Sequence, residues 1–543
     1  MTIPPVQRFL NLMKLYRSEL RQIYIYALFV GVVNLTLPLG IQAIINFLQI
    51  GELTSTWVLL VIFVLVGIAI TGILQVLQLR VVENIQQDLF ARSGFEFAYR
   101  IPKITFLQLD RIHAPELVNR FFDTLTVQKG LPKILIDFSL AIFQIVFGLI
   151  LLAIYSPFFI ILGVTMAIIL YFIFRITGPK GLETSLIESK YKYRLAHWLE
   201  EVARVNRTFK MNAGADFHLE KTDTIVSGYL KSRESHFKVL INQFRFFVAF
   251  KVILAAGLLL LGGVLVFNEQ LNLGQFVASE IVILLIINSV EKIIRTIDTI
   301  YDTLTGLEKI GYVTDLELDK HGGRLEVRGE NGFGVRVRDL QFTFPGMRRN
   351  ILNDLSFELA ENEKVVLAGP SGSGKSVLLQ ILAGIHRPNE GEIYINGVPF
   401  NNYRRGELTD HLAVSFPINQ IFEGTFRENI LLGRDIDEDR LEHTLDVLDL
   451  TDFIIHQPQG IESDLDSGGR RLPRSIIQKI LVARLIVANP QLLLLEDPLQ
   501  FIADDEKKRI IDYLMSPERK WTLLVISDFY YWRERADRVL NIC

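Results

Sequence analysis

Apolar residues crowd into the first 300 positions of the chain and spread out after them. Six long runs stand out, at 23–48, 57–79, 134–154, 157–176, 246–267 and 274–294. A helix rises about 1.5 Å per residue, so each run can cross the roughly 30 Å of hydrocarbon in a bilayer. Six runs almost free of internal charge are more than a water-soluble core would bury, and they predict six transmembrane helices. The segments between them fall into two classes. Those at 49–56, 155–156 and 268–273 are short and hold no Lys or Arg, whereas 80–133 and 177–245 are long, charged and helical in pattern, as in YKYRLAHWLEEVARVNRTFK at 191–210. The spans are therefore expected to continue as helices past the membrane on one side, turn back there and present their tips to something soluble.

Basic residues flank the spans on that same side, among them Arg8, Arg80, Arg92, Lys180, Lys292 and Arg295. This sidedness predicts that both termini are cytoplasmic. The first residues lack the charged, apolar, small-residue order of a cleaved signal, so no signal peptide is expected. Positions 6–21 (VQRFLNLMKLYRSELR) read instead as an amphipathic helix on the inner membrane face. Inside the spans, Glu280 either lines a polar pathway or sits hydrated near the outer interface. Asn34, Gln42 and Gln144 read as interhelical hydrogen bonders.

Composition agrees and narrows the classes. Half of the 543 residues are hydrophobic and mean hydropathy is +0.31, which excludes a disordered chain. Lys and Arg number 57 against 60 Asp and Glu, a net charge of −3. Without a basic excess to neutralise phosphates, no nucleic-acid partner is expected. The single cysteine, Cys543, permits neither a disulfide framework nor a cysteine metal site. These averages hide two unlike halves. The expected division is an elbow helix at 1–22, a six-span domain at 23–310, a linker at 311–332 containing KHGGR (320–324), and a soluble domain at 333–543.

The soluble half opens with an alternating strand pattern, GVRVRDLQFTF at 334–344. A second strand, KVVLAG at 364–369, runs into GPSGSGKS and then the helical VLLQILAG. Gly369, Gly374, Lys375 and Ser376 stand at the spacing of a phosphate-binding loop, in the strand–loop–helix context that such a loop needs. Glycines let successive N–H groups turn inward around an anion, and the helix dipole adds positive potential. Gly369, Pro370, Ser371, Gly372, Ser373, Gly374, Lys375 and Ser376 are thus the candidate nucleotide ligands. Lys375 would reach the β and γ phosphates, and the Ser376 hydroxyl would bind Mg²⁺.

Six spans, long loops on one side and a C-terminal P-loop domain together resemble an ATP-binding cassette (ABC) exporter half-transporter, over essentially the whole chain. The N-terminal layout and IFEGTFRENIL (421–431) are similar to bacterial exporters of peptides or proteins, the type I secretion class; no peptidase domain is expected before the first span. The resemblance implies a multidomain membrane protein, with an all-α six-helix transmembrane domain and an α/β P-loop nucleotide-binding domain. It implies ATP and Mg²⁺ as cofactors, with residence in the lipid bilayer of the bacterial inner membrane. It also implies a second half-transporter, identical or different, each ATP lying between one chain's P-loop and the other's signature sequence. Type I secretion would add a membrane-fusion adaptor. The loop at 211–225 (MNAGADFHLEKTDTI) would be a coupling element.

The family's remaining motifs can be placed residue by residue. Its adenine-stacking aromatic falls on Phe344. The position of its Q-loop glutamine falls on Pro417, with Gln420 out of register. Counting back from Ala483-Arg484 puts the signature on Leu472-Pro473-Arg474-Ser475-Ile476, without its serine and glycines, and leaves Ser467-Gly468-Gly469-Arg470 as a loop turn. The Walker B carboxylates are exchanged: Glu496 stands where Mg²⁺ is held, and Asp497 where the attacking water is oriented, ~1.5 Å short of a glutamate. The switch histidine falls on Asp528, whose anion would repel a γ-phosphate, and the D-loop aspartate falls on Ala503, beside Asp504. Glu496 and Asp497 are the candidate catalytic pair, with Ser376 and Glu496 as the Mg²⁺ ligands.

Three readings follow. The leading one is an exporter subunit that binds ATP and couples slow or altered hydrolysis to export of a peptide, protein or lipid-like substrate. The alternative is a pseudo-ATPase, a membrane scaffold of a secretion complex with structural nucleotide. In the third, the unusual motifs compensate for one another, for example Asp497 with Asp504, and turnover is full.

Overall fold

The computed structural model describes every residue except 1–2, 51–54, 110–111, 113, 213, 215, 320–322, 328, 330, 418–419 and 543. Parts of the expected outer loop at 49–56, the KHGGR linker and the 211–225 loop, and all of Cys543, lie outside the described residues. The chain divides into two compact units, Met1–Ile104 with Gln108–Leu318, and Thr105–Leu107 with Asp319–Cys543.

The first unit is helical. Helix α1 (Pro5–Leu15) packs Phe9, Leu12 and Met13 against its neighbours and leaves Val6 and Leu10 exposed. Next come α2 (Arg17–Val33), α3 (Thr36–Ile50), α4 (Ser55–Arg100), α5 (Asp123–Pro132), α6 (Ser139–Tyr155), α7 (Phe158–Arg204), α8 (Phe217–Phe267) and α9 (Leu273–Thr314). Pro132 has no N–H for the helical ladder, and the chain passes through a π-helical segment at Lys133–Phe138 before α6 begins. The last helix starts sharply, because Asn272 and Gln275 cap one another's backbone in a reciprocal box.

Among the described residues, six helical segments are long and apolar enough to cross a membrane. They are Arg17–Gln49, Ser55–Lys103, Ala114–Tyr155, Phe158–Arg204, Phe217–Phe267 and Leu273–Thr314. In the second, 11% of the most apolar window is buried, with Leu59, Ile62 and Leu65 turned outward, whereas in the sixth the share is 44%. Within this chain the sixth is therefore the more enclosed of the two. Polar side chains join the helices where hydrocarbon offers no other partner. Gln144 accepts from Ser289 at 2.8 Å, Asn34 from Thr71 at 3.3 Å, and Gln42 from the Tyr155 hydroxyl. All three amides thus act as the interhelical bonders expected. Gln243 donates to Thr177 at 2.9 Å and to Tyr301 at 2.8 Å.

The second unit is α/β. An antiparallel sheet of order β2-β1-β4-β5 comprises β1 (Val335–Phe342), β2 (Leu352–Leu359), β4 (Glu390–Ile395) and β5 (Val398–Pro399). A parallel sheet of order β9-β3-β8-β7-β6 comprises β3 (Lys364–Ala368), β6 (Leu412–Ser415), β7 (Leu492–Glu496), β8 (Thr522–Ile526) and β9 (Arg538–Asn541). Strands β3, β7 and β8 read as continuous apolar runs because helices cover both faces of such a sheet, and nearly all of their residues are buried. The register pairs Leu492–Glu496 with Thr522–Ile526, and Leu523–Val525 with Lys364–Val366. Three carboxyl-terminal strand ends are thereby brought to one edge, the place where open α/β sheets bind ligands.

Candidate functional site

At that edge, β3 delivers the glycine loop to the N-terminus of helix α10 (Lys375–Leu382). Gly369, Gly372 and Gly374 adopt φ of 156°, 82° and 88°, and at Gly374 a Cβ would meet Leu352 Cδ2 at 2.7 Å. Only glycine allows the loop to close this tightly. The Lys375 ammonium lies back over the loop, donating to the Gly369 and Pro370 carbonyls at 2.7 and 2.9 Å. Ser373 Oγ is buried without a hydrogen-bond partner in the same loop. A loop with an orphaned hydroxyl, a loosely parked ammonium and glycine-enforced curvature fits a nucleotide phosphate group.

Strand β7 ends at Glu496, whose carboxylate accepts from the Ser376 hydroxyl at 2.5 Å. One hydroxyl and one carboxylate together fit an oxygen-seeking Mg²⁺. When bound, Mg²⁺ and ATP would supply a polarised phosphate chain to this pair. The next residue, Asp497, turns into the left-handed region with φ 42°, its N–H donating to Ile526 O at 2.9 Å. That tether fastens Asp497 to the end of β8, beside Ser527 and Asp528. Burial pushes the Asp497 carboxyl above the usual carboxylate range; Ser527 pulls it down, Asp528 pushes it further up, and Lys375 pulls it down. Two carboxylates and the loop lysine thus share one corner.

A cavity of about 180 Å³ opens beside Glu496 and Asp497, with Pro417, Arg474 and Gln478 on its walls. Arg474 is the first residue of α11 (Arg474–Ile486), and its guanidinium lies 4.9 Å from the Phe501 ring centroid. Ser467–Gly469 forms a short 3₁₀ turn with Gly468 at φ 73°. Phe344 is half-buried, edge-to-face with Phe342 at 5.0 Å and His386 at 5.4 Å. The sequence pattern missed Ser527, which bears on Asp497 only through the β7–β8 register. It also missed Lys364, buried with its ammonium donating to the carbonyls of Asn362 (3.1 Å), Arg519 (2.9 Å) and Trp521.

Comparison with known proteins places this geometry. The family model described as ABC transporter matches residues 352–500, and the one described as ABC transporter transmembrane region matches 22–290. An ATP-dependent lipid A-core flippase of Burkholderia orbicola is 28% identical over 276 residues, 50% of this chain and 46% of that protein. A putative export ATP-binding/permease protein of Rickettsia bellii is 23% identical over 67% of this chain and 63% of its own length. The chain thus spans about half the length of the curated flippases it matches. A solved bacterial Atm1-family ABC exporter with ATP bound gives a TM-score of 0.83 at 17% identity, covering 97% of this chain and 94% of the other, a likeness of fold. With both family regions matched in order and the P-loop folded inside the second of them, the protein is a multi-pass membrane member of the ABC transporter family.

Proposed function

We propose that the chain is an exporter subunit that binds MgATP and couples slow hydrolysis to the export of a lipid-like, peptide or protein substrate. The observation that carries this reading is the loop at Gly369–Ser376, closed on its glycines and joined to Glu496 through Ser376. The loop N–H groups and Lys375 would hold the phosphates. Ser376 and Glu496 would hold Mg²⁺, Asp497 would orient the water, and Phe344 would stack on the base. Slow turnover follows from Asp497 being the shorter carboxylate and from Asp528 standing where a donor would serve better. The flippases among the relatives favour a lipid-like cargo.

The chain would work with a second half-transporter, in a bacterial inner membrane, with both termini cytoplasmic. Residues 1–22 would form the elbow on the inner face, and 311–332 the linker.

The test is phosphate release by the purified chain in lipid, with MgATP. The expected outcome is slow release that Lys375→Ala abolishes and Asp497→Asn reduces about tenfold. ATP binding without any Lys375-dependent release would instead identify a pseudo-ATPase scaffold, a reading that the paired Asp497 and Asp528 favour. Activity unchanged in Asp497→Asn would remove that residue from the water-orienting role.

A further inference from the structure

Within the transmembrane unit, a cavity of about 60 Å³ lies among α5, α7 and α9. Its walls carry the carboxylates of Asp123, Glu188 and Asp302 and the Lys192 ammonium. Hydroxyls of Thr126, Ser185, Ser189 and Thr305 complete its polar lining.

Most of the lining charges are paired. Asp123 accepts from the Tyr193 hydroxyl and has Lys192 Nζ at 3.5 Å. Glu188 takes the Arg233 guanidinium on both oxygens, at 3.2 and 3.3 Å, and the Tyr229 hydroxyl at 3.4 Å. Asp298, one turn before Asp302 on α9, faces His236 Nε2 at 3.5 Å. Among the described residues, Asp302 alone of the lining carboxylates makes neither a hydrogen bond nor an ion pair. Ser185 and Thr305 spend one bond on each other at 2.9 Å. Ser189 is 6% exposed, and its buried Oγ has no partner. One exposed carboxylate and one buried hydroxyl therefore border the cavity without a hydrogen-bond or ion-pair partner among the described residues.

We propose that this cavity binds a single alkali cation, sodium or potassium. The Asp302 carboxylate and Ser189 Oγ hold it, with the free lone pairs of Ser185 and Thr305. A single unpaired carboxylate matches a monovalent ion. A divalent ion would demand more unpaired carboxylates, and among the described residues no group of three His, Cys, Asp or Glu is arranged to hold a metal. The volume suits one ion with a water or two. Asp302 keeps solvent access, which gives the ion a way in. Bound there, the cation ties α7 to α9, independently of the nucleotide reading.

The experiment follows thermal unfolding of the full chain in lipid nanodiscs, in sodium, potassium or choline chloride at constant ionic strength. The midpoint should rise by several degrees, saturably, with sodium or potassium and stay flat in choline. Asp302→Asn should abolish the dependence, and Ser189→Ala should raise the half-saturating cation concentration several-fold. Should Asp302→Asn fail to fold, Ser189→Ala and direct binding of radioactive sodium decide. Equal midpoints in all three salts, or a dependence that survives Asp302→Asn, would overturn the proposal. So would acidification in choline that reproduces the full effect through Asp302, since the occupant would then be a proton.

Discussion

The two walls of the nucleotide site are built by different means. On one side the Gly369–Ser376 loop works through backbone N–H groups, a lysine and a helix start, all set by glycine φ values. On the other side Glu496, Asp497 and Asp528 work through side-chain length and charge. Replacing a glycine at positive φ strains the backbone, while side-chain length and charge admit graded changes. Holding a nucleotide and splitting it are therefore separable properties.

Experiments can break that contrast. Lys375→Ala should weaken ATP binding about 100-fold, roughly 3 kcal/mol, by equilibrium titration, because the charge acts in the bound state itself. Asp528→His should raise phosphate release about tenfold while ATP affinity moves less than about threefold. If affinity and turnover rise together, the acidic wall governs binding as well and the contrast fails. Gly374→Ala must hold φ 88° against Leu352, a strain of about 1–2 kcal/mol. It should lower affinity about tenfold and leave the turnover of bound ATP unchanged.

The smallest effect concerns the domain's stability. Burial pushes the Lys364 ammonium down to about 8, from an ordinary 10.5. Between those values the unfolded chain holds a proton that the folded chain has released, so stability rises with pH across that window. Below about 8 the cost is fully present. Urea midpoints of the full chain at pH 7.5 and 9.5, followed by the fluorescence of buried Trp521, should differ by on the order of 1–2 kcal/mol. Lys364→Met should remove that difference. A rise that persists in Lys364→Met would assign it to other groups.

The six spans and the P-loop were legible because each is a local pattern: apolar length in one case, glycine spacing beside a strand in the other. The neighbouring carboxylates Glu496 and Asp497 were equally visible, since they directly follow the apolar run of β7. What stayed hidden depends on registers between distant segments. Nothing adjacent to Asp497 announces that Ser527 and Asp528, thirty residues on, flank its carboxyl; the parallel pairing of β7 and β8 does that. Lys364 reads as the polar first residue of a strand, and only the close of Arg519–Trp521 over it makes it buried. The cavity at Asp302 draws on three helices almost 180 positions apart, and each of its residues alone looks like an ordinary charge on a helix face.

Helix α8 runs for 51 residues, or roughly 75 Å at the usual rise, of which the hydrocarbon of a bilayer needs about 30. The remainder is a stiff arm. A tilt of about 5° at the membrane boundary would sweep its far end through about 4 Å, a distance comparable to a hydrogen-bond length plus an atom. Reorganisation too slight to register among the spans is thus magnified at the tips by length alone, as a short push on an oar near the rowlock becomes a long stroke at the blade.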